Sequence, residues 1–273
     1  MYDDLDRPPL SESELTRALT LAGSRWTHVE VVNESPSTNA RLAERAASDE
    51  RDGLVLVAEH QTAGRGRLDR TWTTPPRAAI TMSVLVRPVG VPMSRWPWIS
   101  LLAGLAVAAA VRRVAGVEAG LKWPNDVVVD DRKLAGLLVE RVEGGFGPAA
   151  VIGVGLNVST TRAELPTPYA TSLTLEGATT TDRATLVKAI LRRLDGLLAQ
   201  WERRAGTPSV ELRAAYRGAC VTIGQRVRLE VYGRETVEGV AVGIDESGRL
   251  LVHTESGEVA FAAGDVVHVR RPA

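Results

Sequence analysis

The chain has a single cysteine among its 273 residues, no excess of either charge, and little histidine. One thiol, Cys220, cannot close an internal disulfide or build a cysteine-based zinc cluster, and it suits a reducing compartment. Flanked by Ala219 and Val221, Cys220 reads as a small core residue rather than a nucleophile. The four histidines (His28, His60, His253, His268) lack metal-ligand spacing, so no protein-held transition metal is expected. Lys+Arg and Asp+Glu both total 33, so no global field draws the protein to nucleic acid or an anionic membrane. Any anion site must be built locally. The N-terminus is acidic (Asp3, Asp4, Asp6) and lacks the basic-then-apolar pattern of a signal peptide. The longest apolar stretch, residues 99–111, is shorter than the roughly 20 residues that span a bilayer and reads as a buried helix. Cytoplasmic residence follows from these absences.

What is present is ordinary for a globular chain: 44% hydrophobic and 24% charged residues, enough for one catalytic domain and a small module. Residues 1–10, with Pro8-Pro9, read as an ordered-to-frayed tail. Ser11 and Glu14 fit a capping box ahead of Leu15, Ala18, Leu19 and Ala22, spaced for one face of a short helix. Strand patterns cover residues 28–33, 54–59, 80–86 and 149–158. Ser37 opens a helix over 40–47, and a long buried helix is expected over 95–115. Residues 127–129 and 134–142 flank Asp130-Asp131-Arg132 as a hairpin. Asp182 caps a helix over 183–204, and a shorter helix follows Pro208. Beyond Cys220 the texture changes. Residues 225–270 alternate with period two (Val227, Leu229, Val231) between Gly233, Gly239, Gly243, Gly248, Gly257 and Gly264, as in a small SH3-like barrel. The expected division is 1–221 and 222–273.

Three constellations carry chemistry. In residues 61–72, Gly64-Arg65-Gly66-Arg67 lets backbone amides and guanidinium forks approach one anion, with glycines free to take positive φ. Trp72 offers a stacking surface. The same pattern suits an exposed loop of solvated arginines or an RNA-binding segment equally well. Lys122-Trp123-Pro124-Asn125-Asp126 places a lysine on a stiff platform where it can meet developing negative charge; by itself it is also good surface-turn chemistry. Gly153-Val154-Gly155-Leu156-Asn157 ends a strand, where bare backbone would let a ligand lie close and Asn157 offers a donor and an acceptor. It is not a dinucleotide fingerprint, and no Walker loop occurs. No Ser-His-Asp set or distinctive acidic pair is evident. Local cations, glycines and amides suit carboxylate activation by ATP, in which positioning and charge neutralisation dominate.

In order and together, five segments resemble the biotin protein ligases: Ser37-Thr38-Asn39, Gln61 to Trp72 (GRGR-x-x-R-x-W), the KWPND of residues 122–126, Lys133 to Glu140 with Gly136 between them, and residues 153–158. The resemblance implies an α+β fold: a mixed sheet flanked by helices, related to class II aminoacyl-tRNA synthetases, plus the C-terminal barrel. It implies an adenylate-forming ligase that makes biotinoyl-5′-AMP and pyrophosphate from biotin and ATP, then passes biotin to a lysine of a biotin carboxyl carrier domain on acyl-CoA carboxylases. Magnesium would arrive with the nucleotide.

The same resemblance distributes roles. Ser37, Thr38, Asn39 and Gln61 would wall biotin's ureido ring. Arg65, Gly66 and Arg67 would fold over its carboxylate and the phosphates, with Lys122 at the reacting carboxylate and α-phosphate. Arg70, Trp72, Asn125 and Asn157 would contact the nucleotide, joined by Lys133 as a second cation at the phosphates. About 35 residues precede Ser37, less than a DNA-binding winged helix needs, so a ligase without a repressor role is expected. Lipoate or octanoate ligases on the same fold are the nearest rivals. An RNA-binding module is a rival of another class, and balanced charge counts against it.

Overall fold

The computed structural model describes residues 7–48, 51–68, 70–230, 236–262 and 264–269. Asp3, Asp4 and Asp6, and Val231, Gly233 and Arg270 of the alternating segment, lie outside the described residues. The elements run α1 (Glu12–Leu19), β1 (His28–Ser35), α2 (Thr38–Ala47), β2 (Leu54–Gln61), β3 (Ala79–Val86), α3 (Pro97–Ala110), β4 (Gly120–Lys122), β5 (Asp126–Val129), β6 (Arg132–Val142), β7 (Ala149–Asn157), α4 (Arg183–Glu202) and α5 (Val210–Ala219). Then come β8 (Arg226–Glu230), β9 (Val237–Ile244), β10 (Leu250–Thr254), β11 (Gly257–Phe261) and β12 (Asp265–His268).

Local chemistry sets most of these boundaries. Ser11, Ser37, Asp182 and Ser209 each accept a backbone N–H at the start of a helix, the usual stabilising role of such caps. Glu14 completes no reciprocal box. Its carboxylate takes Lys188 of α4 instead, at 2.6 Å. Asp130 and Asp131 both take positive φ (47° and 64°) between paired Val129 and Arg132, the backbone of a two-residue hairpin turn. Arg132 therefore belongs to the strand, not the turn. α3 continues through a wide turn over Val111–Ala115 to the left-handed Gly116. The combined segment Pro97–Ala115 is long and apolar enough to cross a membrane, yet it is mostly buried inside the fold. The short strand β4 has no counterpart in the sequence patterns.

Seven strands form one mixed sheet in the order β1-β2-β3-β7-β6-β5-β4, with β1–β2 parallel and the rest antiparallel. Side-chain alternation separates two cores, as the pleat requires. Val55, Val57, Val84, Ile152 and Val154 face α3 and α4; Leu54, Leu56, Leu85, Ala149 and Val151 face α2. On β7 the α2-facing row then runs on through Gly153 and Gly155. Their cross-strand partners are Ser83 and Leu138, then Thr81 and Gly136. Just past the helix, the sheet surface is thus small and polar, and there a site can sit.

Residues 8 and 10 are tied to a buried ion pair. Buried Glu59 and Arg183 pair at 2.5 Å, Arg183 also holds Pro8 O at 2.6 Å, and Glu59 accepts Leu10 N at 2.5 Å. Removing one partner of such a pair costs about 3–5 kcal/mol because a buried charge is left alone.

The C-terminal strands form a five-stranded antiparallel sheet, β11-β10-β9-β8-β12. This is the small SH3-like all-β module expected; among the described residues no ladder joins β11 to β12. Val221 N, just before the module, donates to Leu121 O of β4 at 2.9 Å, and Trp123 N donates to Thr222 Oγ1 at 3.2 Å, which ties the start of the module to the segment after β4.

Candidate active site

Polar side chains at the start of α2 line one end of a cavity of about 370 Å³. Gln61 Oε1 accepts from Thr38 N at 2.8 Å and from Thr38 Oγ1 at 3.0 Å. Asn39 Nδ2 donates to Glu140 Oε2 at 2.7 Å and Leu138 O at 3.2 Å, while Ser83 Oγ lies 2.6 Å from Asn39 Oδ1. A Cβ on Gly153 would stand 2.2 Å from Asn39 Oδ1. That glycine admits a side chain of the protein itself. Both glycines border the cavity, but the protein itself occupies the space beside them: Asn39 lies over Gly153, and Trp72 over Gly155, where a Cβ would meet the indole at 2.5 Å.

The Gly/Arg segment is a small hairpin. Trp72 N donates to Gly64 O at 2.8 Å and Gly66 N to Arg70 O at 2.6 Å. Neither Gly64 nor Gly66 takes positive φ; Leu68 does, at 53°. Gly64 is needed for closeness instead, since a Cβ would stand 2.2 Å from Trp72 O. The arginines are engaged rather than splayed into solvent. Arg65 pairs with Glu140 at 3.0 Å, and Arg67 Nη1 donates to Asn125 Oδ1 at 3.2 Å and to Gly264 O at 3.5 Å. Arg70 pairs with Asp265. Burial pushes the Arg67 guanidinium below its ordinary range, opposed by the carboxylates of Asp265 and Asp126.

Lys122 ends β4 and borders the same cavity. The following tryptophan is no surface turn: Trp123 is 2% exposed, and its indole N–H reaches Gly248 O at 3.3 Å. Asn125 Nδ2 donates to Leu137 O at 2.8 Å, which leaves Oδ1 to Arg67. Asp126 holds Lys133 at 2.7 Å, and the Lys133 ammonium stands 5.8 Å from the Trp72 ring centroid, within cation–π reach. Among the described residues no carboxylate forms an ion pair with Lys122. Its titratable neighbour is His268, held below the usual histidine range by burial first and then by the Lys122 charge.

Of the thirteen residues singled out from sequence, twelve border this cavity: Ser37, Thr38, Asn39, Gln61, Arg65, Gly66, Arg67, Arg70, Trp72, Lys122, Asn125 and Lys133. Asn157 does not. It is 4% exposed, and its amide is spent on Thr171 O at 2.9 Å, because the segment after β7 packs over it. Sequence reasoning gave no role to Asp126 or Glu140, although both fall in quoted segments. It missed Asp265 and Glu230, which reach the cavity from the C-terminal sheet; strand alternation marks them as surface residues and carries no hint of the docking. Among the described residues, no group of three or more His, Cys, Asp or Glu is placed to hold a metal ion. Lysines and arginines around a polar floor, with a tryptophan face at one side, suit an anionic ligand with a flat ring.

The family model described as the Biotin/lipoate A/B protein ligase family matches residues 30–157, and that of the biotin protein ligase C-terminal domain matches 222–269. The chain is 47% identical over 268 residues to the biotin–[acetyl-CoA-carboxylase] ligase of Mycobacterium tuberculosis, covering 97% of each. It is 32% identical to the bifunctional ligase/repressor BirA of Escherichia coli, over 84% of this chain and 70% of that one. The solved biotin protein ligase of Aquifex aeolicus in complex with biotin and ATP superposes with a TM-score of 0.74 at 28% identity, covering 90% of this chain and all of that one. With its cavity built from the segments that these matches span, the chain belongs to the biotin protein ligase family.

Proposed function

We propose that this cavity makes biotinoyl-5′-AMP from biotin and ATP and then transfers the biotinoyl group to the ε-amine of a lysine on a biotin carboxyl carrier domain of an acyl-CoA carboxylase. The observation that carries this reading is the convergence of Arg67, Lys122 and Lys133 on one cavity whose far end is the polar Thr38–Gln61–Asn39 network. In the first step a biotin carboxylate oxygen attacks the α-phosphorus and pyrophosphate leaves. Charge builds on the phosphoryl oxygens, and preorganised cations stabilise it most. Lys122, with no carboxylate ion pair among the described residues, is the cation available for that work. In the second step the neutral amine attacks the acyl carbon, the C–O bond to AMP breaks, and the amine proton passes to solvent.

Ser37, Thr38, Asn39 and Gln61 hold the ureido end, and Arg65, Gly66 and Arg67 close over the carboxylate. Trp72, Arg70, Asn125 and Lys133 take the nucleotide side. Magnesium would arrive with the nucleotide and would supply neutralisation of phosphate charge, with no carboxylate cluster of the described residues needed to hold it. The donor set fits that arrangement, since Asp126 and Asp265 at the cavity are already paired with Lys133 and Arg70. The chain divides into a ligase domain, 1–221, and a C-terminal module, 222–273, a division supported by the module's separate sheet. Cytoplasmic residence belongs to the same reading, supported by the lone, buried Cys220 and by the burial of Pro97–Ala115.

The test is biotin-dependent exchange of pyrophosphate into ATP, followed by transfer to a carrier domain. Exchange with lipoate or octanoate in place of biotin would overturn the choice of acyl group.

A further inference from the structure

We infer that Asp265 is a positioning residue for the Gly/Arg hairpin, so that the C-terminal sheet supplies half of the clamp over the acyl-adenylate; the inference rests on the ligase reading above. Asp265 opens β12, opposite Glu230 at the end of β8. Its carboxylate pairs with Arg70 and also acts on the Arg67 charge. The preceding carbonyl, Gly264 O, lies 3.5 Å from Arg67 Nη1. On the opposite flank Arg65 is held by Glu140 of β6. The hairpin segments 64–68 and 70–72 are therefore tethered at one side to the main sheet and at the other to the C-terminal sheet.

Charge explains why such a carboxylate is tolerated. An unpaired anion bordering a phosphate site would repel the substrate. Paired with Arg70, it becomes instead a fixed support that holds the Arg67 side chain beside Asn125. Glu230, its neighbour across the ladder, also borders the cavity but faces Arg228 at 3.8 Å and does not hold the hairpin. Glu230 is thus the matched control.

The experiment uses the full chain with Asp265→Asn, Asp265→Glu, Glu230→Gln and the exchanged pair Arg70→Asp/Asp265→Arg. Two rates are followed: tryptic cleavage after Arg67 in the ligand-free protein, and release of preformed biotinoyl-5′-AMP. Asp265→Asn should speed both roughly three- to fivefold, the range expected for losing a partly exposed ion pair, with an unchanged melting temperature. Asp265→Glu and the exchanged pair should recover most of the protection in the cleavage assay, and in that assay Glu230→Gln should be cleaved at the wild-type rate. Wild-type cleavage in Asp265→Asn, or equal acceleration by Glu230→Gln, overturns the inference. Cleavage needs no adenylate, so it decides this point even if the wild-type chain shows no pyrophosphate exchange, a result that would overturn the ligase reading instead.

Discussion

Trp72 lies across Gly155 so closely that a Cβ on that glycine would stand 2.5 Å from the indole Cε2. The same strand, two residues earlier, makes room for Asn39 over Gly153. One short row of β7 thus seats a residue from each half of the site.

Gly155→Ala and Gly153→Ala should therefore separate the two substrates. Displacing Trp72 removes a stacking face, and base–aromatic stacking is worth about 1–3 kcal/mol. Gly155→Ala is expected to raise KM for ATP on the order of tenfold, with KM for biotin little changed. Gly153→Ala pushes on Asn39 and should do the reverse. Steady-state exchange kinetics with each substrate varied in turn would read both; equal effects on the two substrates from either variant would refute the assignment.

Lys122→Met should lower kcat for pyrophosphate exchange by about 10²–10³, the usual loss when one preorganised charge-stabilising group is removed. Among the described residues no carboxylate is left unpaired by the change, so the melting temperature should hold. A variant that turns over within a few-fold of wild type would remove Lys122 from the charge-stabilising role.

Arg67→Gly should shorten retention of the adenylate more than it affects folding, since a loop side chain contributes little to the core. The hairpin should also become more resistant to trypsin when the adenylate is bound, as active-site lids do. Comparing cleavage of ligand-free and adenylate-bound enzyme checks the second point, and equal rates would count against a closing loop.

Acid should weaken the fold in part through Glu164. Burial raises its carboxyl, but hydrogen bonds from Arg7 and Thr161 outweigh this and hold it at about 2, against 4.5 when unperturbed. A depressed carboxyl stabilises the folded state above the unfolded value, and that contribution is lost as pH falls from 4.5 towards 2. Glu164→Gln is expected to cost about 2 kcal/mol at pH 7, shrinking across this window. Urea titrations at pH 7, 4 and 3 would show it; a gap that stays constant with pH would mean the loss is steric.

The amino-acid sequence by itself determined much of this protein. Ser11, Ser37 and Asp182 announce helix starts through local hydrogen bonding, Asp130-Asp131 announces a hairpin, and period-two alternation announces the C-terminal strands. Twelve of the thirteen residues chosen from short segments do meet at one cavity, because those segments lie near the ends of elements that one sheet brings together. What tertiary structure alone decided concerns partners distant in the chain. Why Gly153 and Gly155 must be small became visible only with Asn39 and Trp72 lying on them. Asn157 carries the right chemistry for a ligand contact but loses its amide to Thr171. The Gly/Arg segment leaves a nucleotide and an RNA equally possible, and it becomes part of a closed site only where Glu140 and Asp265 hold its arginines. Local propensity is written in neighbouring residues; the pairing of charges 75 and 195 positions apart is set by how the two sheets pack.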